Sequence, residues 1–132
     1  MAKRDRDFRE MKDCAILYAD QYMNDVEGER LEELAAVFLE KGVKKLIIDF
    51  SRTELINSIG ISILVGIMDK LREKEGVLFF SGLKKANHDM FNMLGLTRFV
   101  PVCKTEEDAL AMMGRGATAG GLQAKPRNEG GA

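Results

Sequence analysis

Two spacings of apolar residues alternate along this chain. Leu46, Ile47, Ile48 and Phe50 form a short apolar run between Lys44-Lys45 and the polar stretch Ser51-Arg52-Thr53-Glu54. That is the pattern of a buried strand with solvated ends, with Asp49 near its carboxyl end. From Ile59 onward the spacing changes: Ile59, Ile63, Ile67 and Leu71 recur at every fourth position, with Leu64 and Met68 beside them. This predicts an amphipathic helix of about four turns. Its cap is Asn57 or Ser58, because either side chain can accept from the unpaired N–H groups of a first helical turn.

The same reading extends to both ends. Residues 1–10 are charged and weakly patterned, a short arm or an edge strand, and Cys14 to Ala19 read as a strand. The acidic segment Asp20 to Glu29 comes next, after which Leu31, Leu34, Ala35, Phe38 and Leu39 share one face of a helix ended by Gly42. Gly76 breaks the helix that follows Ser58. Val77 to Phe80 form a strand closed by Ser81-Gly82, and residues 87–94 a short helix with Met90, Phe91 and Leu94 apolar and Gly95 at its end. Phe99 to Cys103 read as a strand whose Pro101 places it at a sheet edge or strand margin. Thr105 opens a final helix with Glu106, Glu107 and Asp108 in its first turn, where the helix dipole favours acids.

Strands alternating with helices specify an α/β fold in which crossover helices join parallel neighbours. The expected architecture is a small mixed sheet of four to five strands with about four helices packed mainly on one side. After Met113 the composition turns to glycine, alanine and polar residues, so residues 1–113 are expected to fold and residues 114–132 to form a disordered tail. No internal repeat stands out.

Composition narrows the function classes. A chain of 132 residues with 45% hydrophobic content is one domain's worth, able to bury roughly two-thirds of its unfolded surface without a metal or disulfide. A formal net charge of −1 offers no long-range attraction to nucleic acid. Local basic groups do not change that: Lys3, Arg4, Arg6 and Arg9 are interrupted by Asp5 and Asp7, and Lys84-Lys85 is only a pair. Cys14 and Cys103 are too few for a disulfide framework or a zinc site and read as small buried strand residues. No apolar stretch approaches the ~20 residues of a membrane helix, and none follows Met1, which predicts a cytoplasmic protein.

Candidate chemistry is sparse. No glycine-rich phosphate loop follows a strand, so no cofactor is expected and a nucleotide would come with a partner. His88 is the sole histidine, a surface residue at a helix start, with no cysteine or serine in register for a triad. Asp49 reads as a loop-capping acid, Gly60 and Gly66 as packing positions, and most of the eight methionines, among them Met68, Met90, Met93, Met112 and Met113, as core. Nothing assembles a base, a nucleophile and oxyanion donors, so the chain reads as a non-enzyme.

The order Asp49-Phe-Ser, a few residues, then Ile56-Asn-Ser-Ile-Gly-Ile61 resembles the signature segment of the STAS family, the domain of bacterial anti-sigma-factor antagonists and of sulfate-transporter tails. The resemblance runs from Cys14 to Met113 and takes in Gly76-Val-Leu-Phe-Phe80, Met93-Leu-Gly-Leu-Thr-Arg-Phe-Val-Pro-Val102 and Thr105-Glu-Glu-Asp-Ala-Leu110. It implies that Ser58 is phosphorylated by a partner that is both anti-sigma factor and serine kinase, and that a phosphatase reverses this. It also implies that unphosphorylated chain binds that partner through Glu54, Ile56, Asn57, Ser58, Ile59, Gly60 and Ser62.

Ser62, one turn past Ser58, is a second acceptor or a polar surface position. Two departures stand out: Asn57 occupies a position usually held by aspartate, and the segment Tyr18 to Asp25 lacks the glycine often found there. The first keeps open another reading, a STAS scaffold subunit of a signalling or lipid-transport complex that works without phosphorylation. The residues leave the identity of the partner and the oligomeric state open.

Overall fold

The computed structural model describes residues 7–116. In chain order the elements are β1 (Phe8–Glu10), β2 (Cys14–Tyr18), β3 (Tyr22–Met23), α1 (Asp25–Glu40), β4 (Lys45–Asp49), β5 (Leu55–Ile56), α2 (Ser58–Glu73), β6 (Val77–Ser81), α3 (Lys85–Met93), a 3₁₀ turn (Leu96–Arg98), β7 (Val102–Cys103) and α4 (Glu106–Gly116). Five strands form one sheet in the order β1-β2-β4-β6-β7. β1 is antiparallel to β2, and the other neighbours are parallel. The α/β expectation of a small mixed sheet holds.

The central strands are apolar without interruption because both sheet faces are covered. Ala15, Leu17, Leu46, Ile48, Leu78 and Phe80 face the larger core, which receives Leu31, Ala35 and Phe38 of α1, Leu64, Ile67, Met68 and Leu71 of α2 and Phe91 of α3. Phe50, Phe80 and Phe91 meet edge to face there, with ring centroids 5.4–5.8 Å apart. The alternate residues Cys14, Ile16, Ile47 and Phe79 face the other way and are covered by Ala109 and Met113 of α4. Three helices thus lie on one face and one on the other. Tyr18 Oη donates to Glu106 at 2.8 Å, and Arg9 pairs with the same carboxylate, fixing the start of α4 against β1 and β2.

Several boundaries differ from the sequence expectations, each for a local reason. α1 starts at Asp25 instead of near Leu31, because Asn24 caps it by accepting from the Glu27 amide at 3.0 Å. The acidic segment therefore supplies the first turns of the helix, where the dipole stabilises acids. Glu27 is buried, accepting from the Asp20 amide and the Arg30 guanidinium. The strand expected over 99–103 is only Val102–Cys103, since Phe99 ends the 3₁₀ turn and Pro101 has no N–H to donate. α3 begins at Lys85, so His88 sits within the helix and is half-buried. Cys103 is also half-buried, whereas Cys14 is fully buried as expected.

Met93 and Met112 are exposed and do not join the core. α4 continues to Gly116, past the boundary expected after Met113. The rest of the expected tail lies outside the described residues. The short strands β3 and β5 were not expected at all. They pair in parallel, Tyr22 with Leu55 and Met23 with Ile56, as a two-stranded sheet apart from the main one.

Candidate functional site

Ser58 is the first residue of α2 and is exposed. Of the two possible caps, Asn57 takes the position: its side-chain oxygen accepts from the Gly60 amide at 2.8 Å. The Ser58 hydroxyl is thereby released from capping and presented to solvent beside the first-turn N–H groups of the helix.

The neighbouring main chain is held in several places. The Asn57 amide donates to the Met23 carbonyl at 3.0 Å, and the amides of Glu54 and Leu55 donate to the Gln21 carbonyl. Thr53, fully buried, donates its hydroxyl to the Asp20 carbonyl at 2.8 Å. Gly60 presses against β3 so closely that a side chain there has no room. The start of α2 is thus fastened to β3 along its approach, which fixes where Ser58 points.

Asp49 is a second anchor. One of its carboxylate oxygens accepts from the Ser51 amide at 3.0 Å and from the Ser51 hydroxyl at 2.6 Å, and the other accepts from the Ser81 hydroxyl at 2.7 Å. Buried at the end of β4, it ties the loop before β5 to the end of β6. This is the loop-capping role the sequence suggested. Lys84 reinforces the loop by donating to the Ser51 carbonyl and standing 4.0 Å from the Glu54 carboxylate.

The seven residues expected to contact a partner separate into two groups. Glu54, Asn57, Ser58, Ile59 and Ser62 are exposed, with Ile59 at 52%. Ile59 thus departs from the buried stripe its spacing suggested; the stripe consists of Leu64, Ile67, Met68 and Leu71. Ile56 is 5% exposed and packs into the core, and Gly60 is buried against Met23, so these two shape the surface from beneath and do not present side chains on it.

Residues that the sequence reading did not single out complete the surface. Tyr22 and Leu55, paired across β3 and β5, are 59% and 56% exposed, and Val26 in the first turn of α1 is 72% exposed. A signal for them existed in the similarity of Tyr22-Met-Asn-Asp-Val26 to Leu55-Ile-Asn-Ser-Ile59, but it is too short to register as a repeat.

The arrangement suits recognition. Among the described residues no group of three or more His, Cys, Asp or Glu side chains could hold a metal ion. A cavity of about 70 Å³ lies at the other end of α2, lined in part by Met68, Leu71, Arg72 and Phe99 and by none of the Ser58 group. Among the described residues no helix is long and apolar enough to cross a membrane.

Comparison with known proteins places this geometry in a family. Residues 5–109 match the STAS domain. A relative from Bordetella bronchiseptica, BtrV, assigned as an anti-sigma factor antagonist, is 28% identical over 89 residues, 67% of this chain and 77% of its own. In fold, the chain is similar to a sulfate transporter family protein from Wolinella succinogenes, with a TM-score of 0.74 at 18% identity over 83% of this chain and 92% of the other. It is likewise similar to the Bacillus cell fate determinant SpoIIAA in its phosphorylated form, with a TM-score of 0.65 at 19% identity over 80% of this chain and 98% of the other. From the span of the match, the five-stranded mixed sheet and the helix that starts at Ser58, this chain belongs to the STAS domain family.

Proposed function

We propose that this protein is an anti-sigma-factor antagonist, a non-enzymatic binding module switched by phosphorylation of Ser58. The observation that carries the reading is the exposed Ser58 hydroxyl at the start of α2, relieved of capping by Asn57 and surrounded by exposed apolar side chains. The relationship to BtrV supports it. In the unphosphorylated state the surface around Ser58 binds an anti-sigma factor and so frees the sigma factor.

That anti-sigma factor is also the kinase. The γ-phosphoryl group of ATP passes to Ser58 Oγ, the hydroxyl proton leaves to a base of the kinase, and ADP departs. A phosphatase restores the hydroxyl by hydrolysis. The phosphoryl group adds about −1.5 to −2 charges at neutral pH. Within the domain those charges meet the positive end of the α2 dipole and free N–H donors, so the fold tolerates them. At a packed interface the same charges must be desolvated and repel acidic groups, so the complex does not.

The test is a quantitative binding measurement against the serine-kinase anti-sigma factor encoded in the same genome, with Ser58→Ala and Ser58→Asp variants and mass spectrometry of Ser58 after incubation with ATP. Ser58→Ala is expected to bind like wild type and Ser58→Asp to bind at least tenfold more weakly, a difference of about 1.4 kcal/mol. Equal binding by both variants, with no phosphate on Ser58, would remove the switch.

A further inference from the structure

The surface around Ser58 is one half of a local repeat. β3 and β5 run parallel and in register, and each passes directly into a helix capped by asparagine: Asn24 accepts from the Glu27 amide three residues on, and Asn57 from the Gly60 amide three residues on. Tyr22 corresponds to Leu55, Asp25 to Ser58 and Val26 to Ile59. Tyr22, Leu55, Val26 and Ile59 are each more than half exposed, while Met23 and Ile56 between them are buried. Two helix N-termini, carried on strands spaced by about 4.8 Å at the pairing, therefore present one apolar strip.

Charge marks the difference between the halves. Asp25, exposed in the first turn of α1, occupies the place that the uncharged Ser58 hydroxyl has in α2. Glu29, one turn further along α1, and Glu54, before β5, are also exposed. Lys84 faces Glu54 and donates to the Ser51 carbonyl. The strip is thus apolar with an acidic rim concentrated on the α1 side.

We infer that the partner reads both helix starts: its binding face is an apolar patch with lysine or arginine beside it, seated on Tyr22, Val26, Leu55 and Ile59, with a cation opposite Asp25. This rests on the function proposed above and adds the partner's chemistry. Asp25 supplies a permanent attraction on one half, and the other half must stay uncharged for the apolar patch to seat. Phosphorylation of Ser58 then gives the two halves like charge and places a hydrated dianion against the patch, which the partner's cation at Asp25 does not neutralise. Apolar anchors of this kind set the dissociation rate, and rim charges set the association rate and the salt dependence.

The experiment measures association and dissociation of the purified serine-kinase anti-sigma factor with wild type, Tyr22→Ser, Val26→Ser, Asp25→Asn and Ser58→Asp, at low and raised ionic strength. Circular dichroism checks that each variant is folded; the three new sites are exposed, so all are expected to be. Tyr22→Ser and Val26→Ser are expected to dissociate about tenfold faster, as loss of an apolar anchor does. Asp25→Asn is expected to associate roughly three- to tenfold more slowly at low salt and to lose most of the salt dependence. If Ser58→Asp weakens binding while the Tyr22, Val26 and Asp25 variants match wild type, the α1 half is not read and this inference falls, with the Ser58 switch intact. If folded wild type does not bind the kinase at all, both readings fall.

Discussion

Gly60 lies so close to the main chain of Met23 that a Cβ built on it would stand 2.5 Å from the Met23 carbonyl oxygen and 2.9 Å from the Met23 Cγ. The contact seats α2 on β3. The carbonyl cannot step aside freely, because the same oxygen accepts from the Asn57 amide. Glycine at this position is therefore a condition for seating the start of α2, and Ser58 with it, against β3.

Two effects compete in Gly60→Ala. Alanine gains about 1 kcal/mol of helix propensity over glycine, whereas overpacking a close contact costs about 1–3 kcal/mol. Backbone is the obstacle here, so the cost is expected to dominate. Urea denaturation should show a net loss of up to about 2 kcal/mol on that balance. A variant more stable than wild type would mean that the helix start can move away from β3.

Asn57 and Ser58 are expected to separate cleanly in stability measurements. Asn57→Ala removes the acceptor of the Gly60 amide and should cost about 1 kcal/mol. Ser58→Ala removes an exposed hydroxyl outside the cap and should change stability by less than about 0.5 kcal/mol. The reverse order in chemical denaturation would assign the cap to Ser58 and undercut its availability for modification.

Asp49 accepts three hydrogen bonds from two serines, and one donor, Ser81, is fully buried. Asp49→Ala leaves the Ser81 hydroxyl without its acceptor and is expected to cost about 1–3 kcal/mol. Removing both partners in an Asp49→Ala, Ser81→Ala double variant should cost less than the sum of the two single changes. A strictly additive double-mutant cycle would show that the two side chains are not coupled.

Alkaline pH should destabilise the fold through two protons, one on the buried Cys14 and one on the half-buried Tyr18. Burial pushes the Cys14 thiol up from 9.0 to about 11. Desolvation and the hydrogen bond to Glu106 push the Tyr18 phenol up from 10.0 to about 12. Both folded values lie above the unfolded ones, so the contribution is complete below about pH 9 and is lost as the unfolded chain gives up these protons and the pH climbs toward the folded values. The denaturation midpoint is expected to decline from about pH 9 up to about pH 12. Tyr18→Phe and Cys14→Ala should each flatten that fall, and an unchanged slope in both would show that other groups carry it.

The parts of this protein legible in its sequence are those set by local periodicity and end chemistry. Leu46 to Phe50 and Val77 to Phe80 are apolar runs bounded by polar residues, and each becomes a parallel strand covered on both faces. Leu64, Ile67, Met68 and Leu71 recur with the helical period and form the buried stripe of α2. An asparagine and a serine before that stripe announce a helix start, and Asn57 caps the helix that Ser58 opens.

Tertiary structure decided the rest. Two-residue strands have no period to detect, so the pairing of Tyr22 with Leu55 exists only because two distant segments meet. Ile59 has the spacing of a core residue yet lies in the open, because β3 and α1 pack against Gly60 and Ile63 and leave the tip of α2 uncovered. Asp25 and Ser58, each three residues past the pairing of Tyr22 with Leu55, gained their corresponding places in the same way. Sequence pattern specifies which face a side chain takes on its own element; whether that face is covered depends on what the fold brings against it.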